Sequence, residues 1–170
     1  MNIYYLDENP ELCAQSHGDK HVVRMILETA QLLSTALYMV DTSLSASSLD
    51  GLYNPIRLNH PCTKWTAASS DNFHWLWDLG RYLCREYTYR YGRKHKLENM
   101  IYYIGDLTAN MSWYKETLPR PQCMPAIYKN ETDSLHAYRY YYLAEKTHLL
   151  KYTRRSVPEW ITAQGLGESK

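Results

Sequence analysis

Phenylalanine is almost missing from this chain, which has one Phe against seventeen tyrosines and five tryptophans. An aromatic core built this way must place hydroxyl and indole N–H groups on partners as well as fill space. Apolar runs are short as well. No stretch approaches the roughly eighteen residues of a membrane span, and the opening "MNIYYLDENPELC" lacks the basic start and apolar segment of a signal peptide. The expectation is a soluble intracellular chain with no membrane partner. The four cysteines, Cys13, Cys62, Cys84 and Cys123, form no Cys-x-x-Cys pair. That spacing suggests neither a zinc ribbon nor a disulfide framework, and predicts free thiols. There is no internal repeat or low-complexity tract, and nothing asks for a cofactor. A chain of 170 residues suits one domain with a proper core, expected over residues 1–162 with 163–170 as a flexible C-terminal tail.

What the sequence does have is charge segregated along its length. Net charge is +1, yet residues 1–50 hold two bases against seven acids, and "RYLCREYTYRYGRKHK" (81–96) holds six bases against one acid. Such segregation can build a basic surface on a nearly neutral protein. Tyrosines beside these bases offer stacking for nucleobases next to cations for phosphate, although Tyr serves equally in cores and interfaces.

The pattern along the chain is helical. "IYYL" at 3–6 reads as a short strand or an extended lead-in. "NPELCAQSH" is a short helix opened by Pro10. Gly18 and Asp19 read as a stop and a new N-cap, followed by Val22, Val23, Ile26, Leu27, Ala30, Leu33 and Leu37 at helical spacing to about Met39. Residues 41–61 are a long loop. Pro61 opens the next helix, with a break at Ser69–Asp71 and an end at Gly92. A further helix runs over 96–116 with Gly105 as its weak point. "LPRPQCMP" is extended because of its prolines, and a late helix is capped by Thr132 or Asp133. The fold class is all-α, with about five main helices and a long loop after the first long one.

On a helical wheel, at about 100 degrees per residue, His21, Arg24, Glu28, Gln31 and Thr35 share one stripe. Met25 and Leu32 flank it, so the helix is apolar over most of its circumference and belongs at the centre of the fold. The stripe is then either an Arg24–Glu28 pair on a solvated face or the wall of a cleft, with Glu28 placed for proton transfer and His21 as its orienting partner. Lys20 lies about 100 degrees round the helix and is a candidate amine nucleophile. His17 and His21, with His60 and Cys62 of "NHPC", make a possible metal set, which Gly18 weakens by breaking the helix between the two histidines. "LNHPCTKW" sits where a helix N-terminus can receive phosphate. There Lys64 neutralises and Trp65 stacks on a base, unless Trp65 belongs to the core.

"DKHVVRMILE" resembles the first long helix of the phage pyrimidine-dimer DNA glycosylase and abasic-site lyase (endonuclease V) superfamily, and "NHP" (59–61) is similar to a stretch in its bacterial relatives. The chain also looks like a widespread phage protein family, which has Cys where Gly18 stands here. The resemblance implies a single all-α domain in the cytoplasm of an infected bacterial host, with DNA as partner and a damaged or modified pyrimidine as substrate. Residue by residue, it implies Glu28 as the catalytic glutamate, His21 as a helix histidine near the DNA and Asp19 as the opening aspartate. Arg24, Asn59, His60, Lys64, Trp65, Arg90 and Arg93 would hold the strand. Such enzymes attack the sugar with the α-amine of a small residue exposed on loss of the initiator Met. Asn2 predicts retention of Met1, leaving the Met1 amine or Lys20 as nucleophile. The alternatives are a non-catalytic factor binding nucleic acid or a host protein, and a His/Cys metal-dependent hydrolase or DNA base-modifying transferase.

Overall fold

A computed structural model describes residues 1–41, 49–108, 113, 116 and 118–163. Its elements are α1 (Pro10–Ser16), α2 (Asp19–Val40), α3 (Pro61–Ala68), α4 (Ser70–Tyr91), α5 (Glu98–Thr108), α6 (Ser134–Glu145) and α7 (Glu159–Thr162), with 3-10 turns at Ala126–Tyr128 and Thr147–Leu149. The described residues contain no strand. The chain is all-α, and five of its helices have eight residues or more.

Most boundaries follow from local chemistry. Pro10 and Pro61 stand at the first turns of α1 and α3, where a missing N–H costs nothing. Ser69 ends α3 and caps α4 through Asn72 N. Gly92 stops α4 in the left-handed conformation, φ 69°. Asp133 caps α6, accepting from His136 N at 2.8 Å. One assignment changes: Gly18 is the N-cap of α2 and Asp19 its first residue. Most of the predicted 96–116 helix beyond Thr108, residues 42–48 of the long loop and tail residues 164–170 lie outside the described residues. "IYYL" is an extended lead-in with no strand partner.

α2 is central and packs on α3, α4 and α5, while α1 lies along α4. Val22, Ile26, Ala30, Leu33 and Leu37 on one side of α2, with Met25 and Leu32, are all buried; each large side chain of this kind contributes about 1.5–3 kcal/mol. Tyr138 and Tyr142 of α6 are fully buried and belong to the core. Their hydroxyls find partners, Tyr138 on Asn2 Oδ1 (2.7 Å) and Tyr142 on His21 Nδ1 (2.8 Å). Gly105 is a seat rather than a weak point, because the Trp77 indole occupies the space its Cβ would fill and donates to Ile101 O at 2.7 Å.

Two irregular segments close over α2. The lead-in buries Ile3, Tyr5 and Leu6. The end of the long loop is pinned to the helix by Tyr53 N on Ser34 Oγ (3.4 Å) and Ile56 N on Thr35 Oγ1 (3.3 Å). Among the described residues, no helix is long and apolar enough to cross a membrane.

Candidate active site

The stripe on α2 divides into two environments. At its C-terminal half, Glu28 is 8 % exposed and spends both carboxylate oxygens. Oε2 accepts the Asn2 backbone N–H at 2.7 Å, and Oε1 accepts Arg24 Nε at 2.8 Å. Arg24 is 72 % exposed at its side chain, so this ion pair joins a buried acid to a base at the rim. Glu28 and Arg24, with Met1, Ile56 and Arg57, line a hollow of about 380 Å³. A carboxylate therefore sits in the wall of an open cavity with two guanidinium-bearing residues beside it.

His21 is not part of that cavity. It lies two turns down the helix, buried, with Nδ1 on the Tyr142 hydroxyl. That hydroxyl also accepts Gly18 N at 3.0 Å. Burial, reinforced by Lys146, lowers the His21 pKa to about 4, so the ring is neutral near pH 7. The Tyr4 ring packs 4.9 Å from it and also feels the charge of Glu28. Tyr4 holds a left-handed backbone, φ 49°, which is strained for a bulky residue. His21 does not orient Glu28 as expected; a tyrosine is set against the imidazole instead.

Other expected site residues lie away from that hollow. Asp19 accepts Thr153 N (3.0 Å), Thr153 Oγ1 (2.7 Å) and Arg90 Nη1 (3.0 Å). Despite the opposing cost of burial, these bonds hold its carboxyl below the usual carboxylate range. It ties the C-terminal segment to the α1–α2 joint. Arg90 is 3 % exposed and donates to Glu86, Asp19 and the carbonyls of Gln15 and His17, so it is committed inside and does not face a strand. Lys20 is exposed and does not line the Glu28 hollow. Arg93 is exposed and donates to Tyr87 Oη at 3.1 Å. The 81–96 segment is largely answered by local partners, with Arg81 on Asp78 and Lys94 on Glu98.

Comparison with known proteins gives no match to a family model, a curated protein or a solved structure. Function must be read from the site.

A second cavity, about 640 Å³, gathers Asn59, Pro61, Lys64, Arg120 and Lys129 along the proline-rich 118–122 strap. Asn59 and Lys64 both line it. Trp65 does not offer its ring for stacking. It is 3 % exposed and forms, with Tyr5 and Trp75, a cage whose centroids lie 5.0, 3.9 and 4.4 Å from the Arg120 guanidinium. Residues 56–60 border both cavities, since Ile56 and Arg57 line the first and Asn59 the second.

The proposed metal set also separates. His17 is fully buried, its Nδ1 2.7 Å from Cys13 O. A carbonyl only accepts, so Nδ1 carries the proton, and Nε2 is without a partner among the described residues. Neither His17 nor His21 approaches His60 and Cys62 as a ligand. Instead the strap delivers Cys123, whose Sγ lies 3.4 Å from Cys62 Sγ. His60, Cys62 and Cys123 place their ligand atoms within 4.8 Å of one another. A cysteine 61 residues away in sequence gives no spacing signal to read.

Proposed function

We propose that the chain binds DNA and acts on damaged or modified pyrimidine bases, with Glu28 as the general acid/base of a glycosylase and lyase-like reaction. The observation that carries this reading is the Glu28 carboxylate in the wall of an open hollow, 2.7 Å from the Asn2 nitrogen and paired to the rim residue Arg24. An amine attacking the sugar carbon forms a C–N bond while the glycosidic bond breaks, and a carboxylate in the same hollow can take the amine's proton and hand it to the departing base. The Met1 α-amine suits the role better than exposed Lys20, since Met1 lines the hollow. Arg24 and Arg57 beside the hollow, with Lys64, Arg120 and Lys129 along the neighbouring groove, supply phosphate contacts.

Borohydride reduction of the protein mixed with abasic or pyrimidine-dimer DNA is the test. The expected result is a covalent adduct mapping to the Met1–Asn2 peptide. Glu28→Gln should abolish the adduct while leaving DNA affinity, and its steep decline from low to moderate salt, intact. The basic groove also favours a second reading, a factor that holds nucleic acid without reacting: salt-sensitive binding with no adduct selects it. Absence of binding at low salt overturns both.

A further inference from the structure

The His60–Cys62–Cys123 cluster stands apart from the carboxylate chemistry, and its inference does not rest on the DNA reading. His60 precedes Pro61 at the start of α3, which sets Cys62 in the helix's first turn. The extended strap brings Cys123 against it and is held there: Asn2 Nδ2 donates to Cys123 O at 2.9 Å, and Cys123 N donates to Tyr138 Oη at 3.2 Å. Two segments distant in sequence thus present one imidazole and two thiols on a common centre, with Cys62 buried and His60 and Cys123 reaching the surface.

The dimensions suit a thiophilic ion. A tetrahedral Zn2+ at about 2.3 Å from each sulfur holds the sulfurs about 3.8 Å apart; here they are 3.4 Å apart, so a few tenths of an ångström of side-chain motion suffices. The imidazole nitrogen lies within a 4.8 Å envelope of both sulfurs, against about 3.6 Å in a tetrahedral site, so the ring closes by up to about 1 Å on binding. A metal takes cysteine as thiolate and histidine as neutral imidazole, so loading is linked to proton release. His60 Nδ1 accepts Cys62 N–H at 3.2 Å, so ligation is in competition with one cap hydrogen bond.

We propose that His60, Cys62 and Cys123 form a binding site for a single Zn2+ ion, with two thiolates, one imidazole and a fourth, exchangeable position. Binding releases the thiol protons and involves no electron transfer.

Titrating the full chain with Co2+ under a thiol-free reductant tests this directly. The expected result is a near-ultraviolet sulfur-to-cobalt charge-transfer band that saturates at one equivalent and is displaced by Zn2+. Cys123→Ala and Cys62→Ala should each remove the band, and His60→Asn should weaken the affinity at least tenfold. Cys123 lies in an irregular, half-exposed strap, so its variant serves if Cys62→Ala does not fold. No band in the wild-type chain, a band that survives both cysteine variants, or an affinity unchanged by His60→Asn would each overturn the proposal.

Discussion

At the scale of single residues, one ten-residue motif holds side chains with opposite duties. Asp19 and Glu28 are both acidic, both on α2 and both buried, yet Asp19 has three internal donors from the C-terminal segment and α4, whereas Glu28 faces a cavity. Asp19→Ala strips Arg90 of one counter-charge and Thr153 of both its acceptors. The expected loss is about 3 kcal/mol or more of stability, read as a lowered midpoint in urea unfolding, with DNA affinity unchanged below the transition. A comparable loss of binding without loss of stability would return Asp19 to the functional site. Periodicity identified the stripe that contains Glu28. It could not say which polar members turn inward, because that depends on Thr153, Tyr142 and Tyr4, none of which is a neighbour in sequence.

Between helices, α4 and α5 meet where Trp77 lies over Gly105. Replacing an interior helical glycine with alanine ordinarily gains up to about 1 kcal/mol of helix propensity. At Gly105 the new methyl group falls inside the indole ring, whose N–H is already committed to Ile101. Overpacking of this kind costs about 1–3 kcal/mol, so Gly105→Ala is expected to lower the thermal midpoint rather than raise it. A raised midpoint would mean that the indole moves aside freely. Helix limits were legible in the sequence because Pro10, Pro61, Gly92 and Asp133 act within a turn of their own position. The meeting of Cys62 with Cys123 and the cage around Arg120 were not, since tertiary closure alone brings the 118–123 strap back to α3. Gly18 shows the same limit. Its Cβ would collide with the Leu149 carbonyl, a contact fixed by chain more than a hundred residues away.

For the molecule as a whole, the buried histidines set a response to acid. His17 and His21 are held neutral, with pKa values lowered by burial from 6.5 to about 3 and about 4. The unfolded chain binds protons at these positions first. Their contribution to stability is therefore complete above about pH 6.5 and is lost progressively as pH falls towards 3. Unfolding free energy should decline across that window, and His17→Gln should flatten the decline; a slope unaltered in the variant would assign the acid sensitivity elsewhere. Arg120 links the surface to the interior. Its guanidinium lines the basic groove and also lies against the Trp65 and Trp75 rings. An anion that drew this cation outward would change the surroundings of both indoles, so occupancy of the groove is expected to register in the protein's own ultraviolet emission.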